Sequence, residues 1–498
     1  MARSRRSHEA SGGIDHGGTT KDGRSESARA ARLLFGPVLV GLMLSAADAN
    51  AGGLYFSDRG VRPMGRAGAF VAGADDLGAV WYNPAGLADA KTSLLADFSF
   101  LRFSAEYTRE LRVVDADDTV RYLKSPRVSG SSPVIPFPTL AASYNFGDKK
   151  EFTVAAAMFA PYAAIATYPE RINGQPSPSR YALGSFDGSA LVFTGAYFAY
   201  KPMEQLRLGI GLGALVGIFQ STVTFSVSPP DRLLAAPEQP DYDAASRFRV
   251  GPIVAPTGNL GATWVPLEWF RVGTSLQLPA VISSHTRFEV RLPSSAVFDG
   301  GRVTGTDAHV RFTLPAIWRI GAEIRPTSDL RAELTYVREF WSMHDSIELT
   351  PEGVAIEGVS GLPRRVVLPG IKFPRGFQDS NSYRFGGEYG FKLWGYDMTI
   401  RGGFSYETSA IPPEYLSLLT IDMDKITTAI GGGVRIGDHW RFDATYAHLF
   451  ASSVTVSPDD AKIPRVNPLP GNAIPETVNG GTYAASADLF GVGAQYTF

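Results

Sequence analysis

The residues able to do chemistry are few and scattered. Seven histidines stand at positions 8, 16, 285, 309, 344, 439 and 448, with no H-E-x-x-H and no other metal-ligand spacing. There is no G-x-S-x-G elbow. The chain has no cysteine, which removes disulfides, thiolate metal sites and cysteine nucleophiles together. Glycine runs at 209–213 and 431–433 lie inside strand-like segments rather than at a strand-to-helix turn. They read as small residues on a crowded wall, not as phosphate loops. The acidic pairs Asp117-Asp118 and Asp459-Asp460 fall in long connections and read as solvated. No enzyme centre and no cofactor is expected. What remains is a set of charges on alternating faces: Arg271, Arg311, Arg319, Arg331, Arg384, Arg401, Arg435 and Arg441 against Glu323, Glu333, Glu388, Asp397 and Asp443. Opposite charges on neighbouring strands can pair across an interior, and the surplus of cations could also suit a carboxylate.

The elements that carry these charges alternate with period two. Phe312, Leu314, Ala316, Trp318, Ile320, Ala322 and Ile324 form one face of 312–324, and Thr313, Pro315, Ile317, Arg319, Gly321 and Glu323 form the other. The same pattern recurs at 383–391, 396–406 and 440–446. Successive side chains of a strand point to opposite faces, so each segment has one apolar and one polar face. Fourteen such segments are expected, at roughly 93–107, 139–147, 151–160, 189–201, 205–226, 257–266, 269–290, 308–325, 329–349, 381–391, 396–407, 425–437, 439–456 and 484–498. The gaps between them alternate: short at 148–150, 202–204, 267–268, 326–328, 392–395 and 438, long everywhere else.

A soluble sandwich would also alternate. Aromatic residues near segment ends and the strict short–long alternation of connections point instead to an all-β, 14-stranded antiparallel transmembrane β-barrel. Closure leaves no unpaired edge in lipid. Composition agrees with that choice. Over 498 residues the chain is 44% hydrophobic and only 19% charged, and a mean hydropathy of −0.03 is too low for a bundle of membrane helices. With 47 basic and 49 acidic residues there is no basic excess to suggest a nucleic-acid partner. The last strand ends on Phe498, with Val492, Ala494 and Tyr496 on its apolar face. A terminal aromatic there reads as the signal for the barrel assembly machinery during biogenesis, in an outer-membrane lipid setting.

The barrel is preceded by an address. Residues 1–32 are polar and arginine-rich, 33–47 form an apolar run, and Ala47-Asp48-Ala49 or Ala49-Asn50-Ala51 offers an A-x-A cleavage site. The run falls short of the ~20 residues of a spanning helix. Residues 1–51 are therefore expected to be a signal peptide with an extended n-region, 52–90 a separate segment, and 91–498 the barrel with long extracellular loops.

Segment 52–90 does not alternate. It is rich in glycine and alanine, and small side chains would let its backbone pack closely inside a lumen. Asp75 and Asp76 are expected to open a short helical turn running to Trp81, and Asn83-Pro84 to mark a turn. Gly65-Arg66-Ala67, Ala74-Asp75-Asp76 and above all Asn83-Pro84-Ala85 followed by Gly86-Leu87 resemble the amino-terminal hatch of the FadL family of outer-membrane transporters. With the fourteen strands and Phe498, the resemblance spans nearly the whole mature chain. It implies a barrel plugged by the hatch and passive uptake of long-chain fatty acids or hydrocarbons. Ligand would pass from a groove among the long loops to an apolar pocket near the mature amino terminus. A kink in the third strand would then release it sideways into the membrane.

On that footing the candidate pocket residues are Leu54, Tyr55 and Phe56 near the mature start and Phe159 on the third strand, each of which could equally be hatch-to-wall packing. Pro161, which cannot donate to the strand ladder, is the candidate for a lateral opening. A hydrophobic small molecule is the expected partner, and a plugged barrel can work as a monomer. A general porin for polar solutes is the alternative, against which a plug argues. A lipid hydrolase of the outer membrane and an adhesive role for the loops rank below it.

Overall fold

A computed structural model of the chain describes residues 58–115, 117–130, 134, 136–164, 167–182, 189–227, 239–465 and 477–498. The expected signal segment and Leu54, Tyr55 and Phe56 lie outside the described residues.

Fourteen antiparallel strands close into one barrel. They are β1 Ser93–Val114, β2 Pro136–Phe146, β3 Phe152–Ala164, β4 Ser189–Met203, β5 Leu206–Ser226, β6 Asp243–Leu267, and β7 in two parts, Phe270–Gln277 and Ala280–Arg291. Then come β8 (Asp307–Leu314 and Ile317–Ile324), β9 (Leu330–Glu339 and Ser346–Pro351), β10 (Ile371–Pro374 and Ser380–Leu393), β11 Tyr396–Glu407, β12 Lys425–Ile436, β13 Trp440–Ala451 and β14 Gly481–Thr497. Closure is made by β1 against β14, from Ser93 opposite Thr497 to Arg109 opposite Gly481. Strand number and the alternation of short turns with long loops follow the pattern of the sequence. The exception in extent is β6, which begins at Asp243 rather than near 257. Its first half carries Arg247, Arg249, Pro252 and Pro256 and does not read as a strand, yet it pairs with β5 and β7.

Outward faces are apolar, with Leu94, Leu212, Val254, Leu260, Leu334, Ile400 and Ile430 all exposed. Trp264, Trp269, Trp394, Trp440 and Phe498 cluster near the short-turn rim, the aromatic girdle of a membrane barrel. Interior faces carry the charges.

Four neighbouring strands are broken side by side: β7 at 278–279, β8 at 315–316, β9 at 340–345 and β10 at 375–379. One or a few unpaired residues change which face a strand presents. On β8 the interior residues are Ile317, Arg319, Gly321 and Glu323 below the break but Ala308, Val310, Phe312 and Leu314 above it. Phe312 and Leu314 thus face inward, and Arg311 faces outward, the reverse of a single unbroken alternation through Pro315. Arg435 and Asp397, also expected inside, sit exposed at the short-turn rim, Asp397 facing Lys392 at 3.5 Å.

Candidate transport path

The segment at 58–90 fills the lower lumen as a hatch. It consists of a turn of helix, α1 (Val61–Met64), a coil, a second turn, α2 (Ala79–Tyr82), and a 3₁₀ turn at Pro84–Ala88. The helical turn expected to open at Asp75 and Asp76 and run to Trp81 is α2, which begins at Ala79 and reaches Tyr82; Ala79 N donates to the Asp76 carbonyl at 3.0 Å in the turn that leads into it. Glycine on the wall lets the two backbones touch. A Cβ on Gly273 would lie 2.6 Å from the Val71 carbonyl oxygen, and one on Gly403 2.2 Å from the carbonyl carbon of Arg66. One on Gly209 would lie 2.3 Å from the carbonyl carbon of Pro84.

Charge then locks the hatch in place. Arg62 reaches Asp75 and Asp76 at 2.8 Å each and Glu388 on β10 at 2.7 Å. Arg331 bridges Asp75 (2.7 Å) and Glu388 (2.6 Å), Arg441 bridges Asp76 and Asp443 (2.7 Å each), and Arg401 bridges Glu388 (2.9 Å) and Asp443 (2.7 Å). Burial alone would raise the Asp75 carboxyl, but Arg331 and Arg62 outweigh it and hold the group well below the usual carboxylate range. Asp76 is held at about 2 by Arg62 and Arg441 against the same burial. Glu333 on β9 accepts from three successive hatch amides, Val71 N (2.6 Å), Ala72 N (2.9 Å) and Gly73 N (2.8 Å), and from Arg66 Nη2 at 3.3 Å. The surplus of arginine on the wall is matched by acids that the hatch brings: Asp58, Asp75, Asp76 and Asp89. Arg319, another of the expected lumen charges, lies over the Trp81 ring, 4.8 Å from its centre.

Asn83 is fully buried at the centre of the seal. Its Nδ2 donates to Val71 O (2.9 Å) and Thr263 Oγ1 (2.9 Å), and its Oδ1 accepts from Ala85 N at 3.2 Å, capping the 3₁₀ turn that Pro84 opens. Phe159 is interior, packed between Trp81 of the hatch (5.5 Å, edge-on) and Phe193 of β4 (5.0 Å, stacked). It sits below the main cavity and is not part of its lining.

Above the seal lies a cavity of about 140 Å³. Its walls are mostly apolar: Phe225 from β5 and Phe248 from β6, Phe312, Leu314 and Leu349 from the upper parts of the broken strands β8 and β9, and Trp341 from the break of β9, with Tyr162 at one side. Sequence reasoning missed Phe312 and Leu314 because their inward orientation depends on the break of β8, and Phe248 because it lies in the part of β6 that does not read as a strand. Phe248 and Phe288, opposite each other on β6 and β7 and stacked at 4.9 Å, with Phe225 of β5 edge-on to both, were the available signal.

Pro161 sits where the wall itself opens. β3 pairs with β2 only as far as Phe159 opposite Thr139. Against β4 the register shifts between Phe159 and Tyr162, so Ala160 and Pro161 form a bulge. Two small voids flank it. One of about 10 Å³ is lined by Trp81, Pro161, Tyr162 and Phe193. The other, of about 20 Å³, runs from Asp58 and Arg59 past Ala160, Phe137 and Thr139 to Phe100 on the outer face of β1. Phe498 closes the short-turn rim, its amide donating to the Thr92 carbonyl at 3.0 Å and its ring edge-on to Tyr496.

Fold and site together define a class: a transmembrane barrel sealed by its own amino-terminal segment, with an apolar chamber above the seal. Comparison with known proteins agrees. Residues 42–498 match the family described as outer membrane protein transport protein (OMPP1/FadL/TodX). A FadL homologue of Pseudomonas aeruginosa is similar in structure with a TM-score of 0.69 at 15% identity, over 90% of this chain and 100% of that one. The toluene transporters TbuX of Ralstonia pickettii and TodX of P. putida give TM-scores of 0.54 and 0.56 at 16% identity, covering 89% and 91% of this chain and 99% of each of theirs. No curated protein matches. The chain belongs to the OMPP1/FadL/TodX family: it is an outer-membrane transporter of hydrophobic molecules and not an enzyme.

Proposed function

We propose that the barrel carries hydrophobic small molecules, long-chain fatty acids or hydrocarbons, passively inward and releases them sideways into the membrane at Pro161. The apolar cavity directly above the sealed lumen carries this reading. A molecule of low water solubility gains by entering it, and the charged, close-packed hatch beneath offers no such gain. The route onward follows shared residues. Tyr162 belongs to both the cavity and the smaller void, and Ala160-Pro161 separates that void from the cleft to the outer face. Asp58 and Arg59 stand across the cleft, so movement of the first hatch residues opens it. Two of the similar structures are named as toluene transporters, which favours a small hydrocarbon or aromatic cargo. The ion-paired hatch disfavours a porin for polar solutes.

The test is uptake of radiolabelled toluene and oleate by cells with and without the protein. Dependence of either label on the protein supports the proposal and names the cargo class. If neither depends on it while small polar solutes do, the hydrophobic reading is replaced by the porin one.

A further inference from the structure

The cavity is mostly apolar, and of the two cations on its lining Lys372 is paired with Asp345 at 3.7 Å and Glu348 at 3.6 Å. Arg375, in the break of β10, is 2% exposed, and its guanidinium stacks over Phe377, 4.9 Å from the ring centre. One arm donates to Thr420 Oγ1. Its Nε has no hydrogen-bond partner, and among the described residues no carboxylate lies within ion-pair distance of it. Arg62, Arg66, Arg384, Arg401 and Arg441 in the seal each have at least one carboxylate partner. Beside Arg375, His344 stacks obliquely on the same Phe377 ring at 5.2 Å. Its Nδ1 meets the Thr313 carbonyl at 2.7 Å, which makes Nδ1 the protonated nitrogen. The buried Nε2 is then an acceptor with no hydrogen-bond partner among the described residues. A buried cation and a buried acceptor left unmatched each destabilise the empty protein. A ligand group that accepts from the one and donates to the other removes both penalties.

We infer that Arg375 and His344 hold the polar end of the cargo, so that the cavity selects an apolar body bearing one acidic oxygen group, a carboxyl or a phenolic hydroxyl, over the plain hydrocarbon. The inference rests on the proposed function, since it assigns chemistry within the same cavity. Size narrows the body: a cavity of about 150 Å³ lined by Leu, Ile and Phe takes benzene, and this one is about 140 Å³. One aromatic ring fills it. A carboxylate takes the guanidinium in a charge-assisted bond. A hydroxyl accepts from Arg375 and donates its proton's hydrogen bond to His344 Nε2.

Calorimetric titration of the purified, detergent-solubilised full chain with p-xylene, p-cresol and p-toluate tests this, because the three share a methylated ring and differ only at one end. At least one oxygenated probe is expected to bind tenfold or more tightly than p-xylene. In R375M that preference is expected to vanish while p-xylene binds as well as before or better. Equal binding of all three to the unaltered protein overturns the inference without any variant, and leaves the hydrophobic cavity standing. No binding of any probe refutes both the inference and the cavity as the cargo site. Preference for p-cresol alone assigns the hydroxyl, and preference for p-toluate alone the carboxylate. R375K, which keeps the charge, is expected to retain part of the preference for p-toluate; full retention in R375M contradicts the assignment.

Discussion

Arg59 of the hatch donates from Nη2 to the carbonyl oxygen of Pro161, at the bulge where β3 parts from β2. A buried carbonyl that loses its ladder partner needs another, and here the plug supplies it. The first residues of the hatch and the break in the wall are therefore mechanically one unit. Arg59 N also donates to Tyr82 Oη at 2.9 Å, tying the same residue back to the body of the hatch.

Replacing Arg59 with methionine leaves that carbonyl without its charged donor, a loss of about 1.5–3 kcal/mol for a hydrogen bond to a charged group. Amide exchange followed by mass spectrometry should show peptides spanning 159–164 exchanging at least tenfold faster, with the β11–β13 side unchanged. Unaltered exchange at 159–164 would mean that the bulge holds its shape without the hatch.

Glu333 holds the plug by three successive backbone amides and Arg66. Removing it in E333A strands three consecutive amides and leaves Arg66 with Glu323 at 3.1 Å as its one remaining carboxylate. Breaking a buried pair from one side destabilises by about 3–5 kcal/mol. In planar bilayers the unaltered barrel should conduct little, and E333A should show open-channel events. A closed E333A barrel would place the seal elsewhere.

Neighbouring glycines on β11 separate wall from plug. A Cβ at Gly402 meets nothing nearer than the Ala429 carbonyl oxygen at 4.0 Å, whereas one at Gly403 runs into the Arg66 backbone at 2.2 Å. G402A should leave the hatch resistant to limited proteolysis. G403A should weaken docking by about 1–3 kcal/mol, the usual range for overpacking, and expose cleavage sites in 58–90. Equal protection in both would refute the close approach of hatch and wall.

Much of this was legible in the sequence, for a physical reason. A strand in a barrel wall has lipid on one side and a polar lumen on the other, so period-two patterning runs the length of each strand, and the fourteen segments follow. Asn83-Pro84-Ala85 was legible as a motif because its asparagine side chain does local work, capping the turn at Ala85. The cavity was not legible. Phe312 and Leu314 look lipid-facing because the alternation through Trp318 continues unbroken in the sequence, and only the interruption at Pro315-Ala316 reverses them. Nor do residue types distinguish Arg375, which has no carboxylate partner among the described residues, from Arg401, which has two. Pairing across a lumen joins residues hundreds of positions apart, such as Arg62 and Glu388, and no local pattern encodes it.

On the proposed route cargo leaves through the wall at Pro161 rather than through the lumen. Uptake of radiolabelled toluene by cells carrying P161V, whose valine restores a ladder donor at the bulge, tests it most directly, with the folded barrel verified by its heat-modifiable mobility on gels. The account predicts uptake at least several-fold below the unaltered protein with normal barrel assembly. Undiminished uptake by a fully assembled P161V barrel would contradict it.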